Sequence, residues 1–184
     1  NFNVGHAYPD TKEYSAVEGS VGSGGPVAGT PAKCFNAINH NRLGWFKDRT
    51  AAFTSTSVKN ARKIKLAAFV DYKLTGSSEP VNVVVNNKFY IQYNRKSKHN
   101  RETQRFGDML TVTAIRAGSS TNHIGAINVG QTIKLDNVVV RVCRRVSGNN
   151  NNPDALEVSI GVNGNACNQA LDNGGGNNGG GDSG

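Results

Sequence analysis

The chain has 184 residues, enough for one ordinary domain or two small ones with a real core, so length excludes little. No apolar run reaches the roughly 20 residues a membrane-spanning helix needs, which excludes a helical span. Twenty-one Lys and Arg against 13 Asp and Glu give a formal net charge of +8, a field that either draws anionic partners or simply keeps a basic surface solvated.

In chain order, Asn1-Phe2-Asn3-Val4-Gly5-His6 comes first. A histidine just after a residue that tolerates positive φ, as Gly5 does, suits a chain that bends and presents one imidazole, which makes His6 the first candidate metal ligand. From Ala7 to Gly29 the sequence is rich in Gly, Pro and Ser and has no sustained apolar period, the pattern of an irregular loop or a linker. Thr30 then supplies an N-cap hydroxyl, Pro31 a first-turn residue and Gly44 a stop, predicting a helix over 31–43. Phe35, Ile38 and Leu43 form its inward stripe, Trp45 and Phe46 cap that core, and His40, without a second ligand at i+3 or i+4, is expected at the surface.

From Ile64 the period changes to two. Strands are expected over 64–72, 81–85, 89–93, 110–114, 131–135, 138–142 and 156–162, with Asn86-Asn87 as a two-residue hairpin turn pairing the second and third antiparallel. Six or seven short strands separated by turn signals predict an antiparallel β-sandwich or jelly-roll-like domain over 58–171, preceded by a separate unit over 1–50, the boundary falling between Trp45 and Val58 where Ala51 to Ser57 lack periodicity. Residues 172–184 contain only Asn, Gly, Asp and Ser and read as a flexible tail or linker. Three cysteines suit an oxidising compartment: Cys143 and Cys167, flanking an antiparallel pair, are placed to bridge or remain as two thiols, and Cys34 is left over.

Three basic clusters stand out: Lys59, Arg62, Lys63 and Lys65; Arg95, Lys96, Lys98, Arg101 and Arg105; and Arg141, Arg144 and Arg145. A sheet with basic rims suits an acidic polysaccharide or cell-wall polymer. Nucleic acid is disfavoured, because Phe89 and Tyr93 alternate with Ile91 toward the core and leave only Tyr90 as a stacking ring. No Gly-x-Ser-x-Gly elbow or phosphate-binding loop is present.

Taken together, NFNVGHA at the start and Cys34-Phe35-Asn36-Ala37-Ile38-Asn39-His40-Asn41-Arg42-Leu43-Gly44-Trp45 resemble the gametolysin (autolysin) family of zinc metallopeptidases in the metzincin clan. The segment Tyr90 to Asn100 resembles the downstream part of such sequences more loosely. The clan motif H-E-x-x-H-x-x-G-x-x-H binds zinc through three histidines, with the glutamate as general base. On that resemblance His6 is the third zinc ligand, and the other two histidines and the glutamate lie upstream of Asn1, so no catalytic residue is expected in this chain. Asn3 then takes the place of the motif glycine, beside Gly5, and Val21 takes the place of the methionine in the turn beneath the metal. The resemblance implies a mostly β fragment: the loop and one helix of a metzincin catalytic domain, then the sandwich. It implies a secreted or cell-wall-associated zinc endopeptidase acting on extracellular or cell-wall proteins and glycoproteins, inactive in this fragment alone. The alternatives are a non-catalytic extracellular module that binds acidic polysaccharide, or a degenerate relative that has lost catalysis. The partner of Cys34 is expected upstream as well.

Overall fold

The computed structural model describes residues 7–8, 36–76, 78–101, 106–115, 121–149 and 153–171. The protein is mostly β, with two sheets enclosing one main core. The strands are β1 (Ala7–Tyr8), β2 (Thr50–Phe53), β3 (Arg62–Ala67), β4 (Asn82–Val85), β5 (Phe89–Asn94), β6 (Met109–Ile115), β7 (Thr121–Ile127), β8 (Thr132–Leu135), β9 (Val138–Val146) and β10 (Ala155–Gly161). The first sheet runs β1-β7-β6-β5-β4-β2 and the second β3-β10-β9-β8.

Alternation decides what faces inward. Val83, Val85, Ile91, Tyr93, Leu110 and Val112 from the first sheet meet Ile64, Leu66, Leu135, Val138, Val140, Val142, Leu156, Val158 and Ile160 from the second. Each such aliphatic or aromatic side chain contributes about 1.5–3 kcal/mol on burial. The β4–β5 hairpin closes through Asn86 and Asn87, both at positive φ (52° and 51°), with the Lys88 N–H donating to the Val85 carbonyl (3.1 Å). Val85 stands opposite Phe89, so three residues rather than two form the connection.

The first sheet is mixed rather than wholly antiparallel. β2 runs parallel to β4 and β1 parallel to β7. After β2 the chain crosses to the second sheet as β3 before returning as β4, and a crossover of that kind delivers a parallel neighbour where a hairpin cannot. The strand expected over 64–72 ends at Ala67, and Phe69–Leu74 forms a 3-10 helix. That break puts Asp71 in the interior, fully buried, where an ion pair and not the pleat dictates its position.

The junction expected between Trp45 and Val58 is spanned by β2, an edge strand of the first sheet. A short α-helix, α1 (Ala37–Arg42), lies on the outer face of that sheet, with Ala37 and Ile38 packed against Val84 and Tyr90. Ser and Thr in Ala51 to Ser57 hid the strand because an edge strand needs only one buried face.

Cys143 and Cys167 form a disulfide, with Cα atoms 5.3 Å apart. Arg144 pairs with Glu157 and Val142 with Val158, so Cys143 is the extra residue of a β-bulge. The segment after β10 lies back over the outer face: the Lys63 Nζ donates to the Cys167 carbonyl (3.3 Å), and the Ala166 N–H donates to the Ser159 Oγ (2.9 Å).

Candidate functional site

His6, Asn3, Gly5, Val21 and Cys34 lie outside the described residues. Ala7–Tyr8 and the chain from Asn36 are described. β1 starts at Ala7, directly after His6 in sequence, and Ala7 pairs with Thr121 of β7. The described part of the helical block starts at Asn36, whose side chain accepts the Asn39 N–H (3.0 Å) as an N-cap and donates to the Thr121 Oγ1 (3.2 Å). The cap is therefore Asn36, and the helix is six residues long; Thr30 and Pro31 lie outside the described residues. Gly44, at φ 73°, ends the helix as expected of a positive-φ stop. The two sequence blocks that carry the family resemblance thus meet at one residue of the sheet, Thr121.

His40 is buried, not at the surface, because α1 is short and lies flat on the sheet. Its imidazole sits among Phe46 (5.1 Å between centroids), Phe69 (5.1 Å) and Trp45 (5.8 Å). Burial lowers its pKa to about 4, against the opposing effect of a hydrogen bond with Asn82. Native His40 is then neutral near pH 7. Because its folded pKa lies below its unfolded value of 6.5, stability is full above about pH 6.5 and falls as pH drops toward 4, where the native imidazole also protonates. The loss attributable to His40 is at most about 3 kcal/mol. Urea unfolding at pH 7.5 and 4.5 should show a steeper loss in the wild type than in His40→Asn; equal losses would contradict this. His123, also lowered by burial to about 4, contributes to both proteins alike.

One end of the sandwich carries an alternating charge chain. Lys98 and Arg95 hold the Asp71 carboxylate (2.8 and 2.5 Å), Arg95 reaches Asp154 (3.5 Å), and Arg145 joins Asp154 (2.6 Å) to Asp108 (3.8 Å). Burial first, with Asp108 and Asp154 and against Arg145 and Arg95, raises the pKa of Tyr93, at the same end, to about 12. The second basic cluster is therefore engaged in ion pairs with Asp71 at Arg95 and Lys98.

The first and third clusters come together on the outer face of the second sheet. Register places Lys63 and Lys65 of β3, Ser159 and Glu157 of β10, Arg141 and Arg144 of β9, and Thr132 and Lys134 of β8 on that face. Glu157 takes Arg144 (2.7 Å) and Lys63 (3.4 Å); Arg144 first, against burial, draws its pKa below the usual carboxylate range. Lys134 and Arg141 stand diagonally across β8 and β9 and extend the cationic face. Sequence alternation alone puts Arg144 inward; the bulge at Cys143 turns it outward. Tyr90, expected to be the exposed ring of β5, is covered by α1, so β5 offers no stacking platform.

Among the described residues no group of three or more His, Cys, Asp or Glu side chains is placed to hold a metal ion. They do not fit a zinc site, and the one ligand expected in this chain is His6. No described helix is long and apolar enough to cross a membrane. Searches of family models, curated proteins and solved structures found no match for the chain.

Proposed function

We propose that the chain is a fragment of a secreted zinc metalloendopeptidase acting on extracellular or cell-wall proteins and glycoproteins, inactive by itself. The observation that carries this reading is the convergence on Thr121 of the strand that follows His6 and the helix of the second block. Two segments separated by a Gly-rich interval are thereby tied to one edge of the sandwich, which gives a catalytic half a fixed attachment. The Cys143–Cys167 disulfide is compatible with an oxidising compartment. The test is to express the chain with the residues encoded upstream. Stoichiometric zinc, chelator-sensitive proteolysis and loss of both in His6→Ala are expected, while the 184-residue chain alone binds no zinc tightly. Zinc retained in His6→Ala would overturn the ligand assignment.

A second reading, a non-catalytic module for acidic polysaccharide, is favoured by the cationic outer face of the second sheet. Retention on heparin should weaken with salt and fall in Lys134→Ala/Arg141→Ala. Retention unchanged by either would exclude an electrostatic role for that face.

A further inference from the structure

We infer that α1 is a latch on the outer face of the first sheet that opens when His40 takes up a proton. The closed position has no place for an imidazolium. His40 is 2% exposed, its Nδ1 has no hydrogen-bond partner, and the ring lies among Trp45, Phe46 and Phe69 and against the Asn82 amide. The charged groups on the described elements around it are Arg42 on α1, Lys47, Asp48 and Arg49 in the 3-10 turn that follows, and Asp71 and Lys73 in the 3-10 helix that carries Phe69. β4, β5 and β6 carry no charged residue, and Tyr72 and Tyr90 are the phenols on this side. None of these groups shifts the imidazole. Arg49 is taken by the Glu79 and Tyr72 carbonyls and the Thr75 Oγ1, and Asp71 by Arg95 and Lys98. A proton on His40 therefore buries a charge and a donor without an acceptor, and contact with the rings recovers less than that desolvation costs.

α1 is the element that yields. It has six residues, too few to hold a helix without tertiary contacts. Its apolar contacts join Ala37 and Ile38 to Val84 and Tyr90 in a small cluster of their own, and no residue of α1 belongs to the main core, so the two sheets stay packed when it leaves. The polar side of the joint favours water: the fully buried Asn39 amide and the Gln92 amide, opposite Asn82 in the sheet, have no hydrogen-bond partner. Opening hydrates the imidazole and the Asn39 amide together, which offsets the lost contact of Ala37 and Ile38. Phe46, a bulky residue at φ 59° at the end of the latch, holds backbone strain where the chain must pivot. Closed, the imidazole is held at about 4, chiefly by burial; in water it returns to 6.5. The latch is thus fully held above about pH 6.5 and is lost as pH falls toward 4, with the opening equilibrium rising about 30-fold between pH 7.5 and 5. Acid frees the block around α1 while the sandwich stays folded, and this requires no zinc centre.

The experiment is residue-resolved amide hydrogen exchange on the 184-residue chain at pH 7.5 and 5, corrected for intrinsic exchange chemistry. The Leu43 and Trp45 N–H groups, which donate to the Asn39 and His40 carbonyls (3.0 and 2.9 Å), report the latch, and Ile91 and Val158 report the core. Protection at Leu43 and Trp45 should fall about 30-fold between the two pH values and stay at least tenfold below that of Ile91 and Val158. In His40→Asn, which cannot take up the proton, the fall should disappear. Asn82→Asp, which sets a carboxylate against the imidazolium, should shrink it to under about threefold and keeps the test alive where loss of the imidazole itself unseats α1. No fall in the wild type, a fall that persists in either variant, or latch and core amides exchanging at one rate at pH 5 would each overturn the inference.

Discussion

Asp71→Ala is expected to destabilise the protein by about 3–5 kcal/mol, the loss typical when one partner of a buried ion pair is removed. Asp71 is fully buried in the 3-10 helix Phe69–Leu74 and is held by Arg95 and Lys98. Lys98 is 42% exposed and rehydrates when the carboxylate goes, so the loss falls mainly on Arg95, whose side chain is 21% exposed and next relies on Asp154. Burial alone would lower the Arg95 pKa, and Asp71 more than reverses this. Removing Asp71 thus strands a guanidinium that joins β5 to the start of β10. The measurement is the urea midpoint with the slope unchanged. Lys98→Ala, which leaves the Arg95–Asp71 pair intact, should cost under about 1 kcal/mol. A loss below 1 kcal/mol for Asp71→Ala would show that water replaces the carboxylate and that the charge chain does not secure this end of the sandwich.

Replacing Cys143 and Cys167 together by serine should cost about 3.5 kcal/mol, the chain-entropy value for a bridge spanning 24 residues. The bridge fastens the chain after β10 over the outer face of the second sheet. Its native position is also fixed by the hydrogen bonds from Lys63 to the Cys167 carbonyl and from Ala166 to Ser159. Those bonds persist in the variant, so the loss should appear as global destabilisation in denaturant with Arg144 still paired to Glu157. A loss below 1 kcal/mol would mean that the unfolded chain is already restricted between β9 and the end of the described segment. Thiol alkylation before and after reduction reports the bridge directly.

Much of the sandwich is legible in the sequence because its strands are half-buried, and period two survives wherever one face meets a core. Val83, Val85, Phe89, Ile91 and Tyr93 could be assigned inward from alternation alone, and Asn86-Asn87 marked the turn because asparagine tolerates the left-handed region. Alternation misled at one place and stopped short of another. At Asp71 the apolar period ran on past Ala67, although a buried carboxylate needs cations that only folding brings from 24 and 27 residues away. At Arg144 one bulged residue inverted the faces of everything after it, and a bulge is set by the neighbouring strand.

The candidate site was less legible than the fold. Lys63 and Arg141 belong to clusters far apart in sequence, and Ser159 stands between them only once β10 is inserted between β3 and β9. His40 has the spacing of a surface residue on an isolated helix; the rings of Trp45, Phe46 and Phe69 packed around it make it an interior one. β2 and β7 carry Thr, Ala, Asn and Gly in place of a valine period and were silent.

The sequence by itself determined the mostly β class and the inward faces of most strands, because these rest on local periodicity. Only the tertiary structure decided which strands sit at the edges of the two sheets and which charges meet. Strand order and ion pairing depend on contacts between distant residues, and no local pattern encodes them.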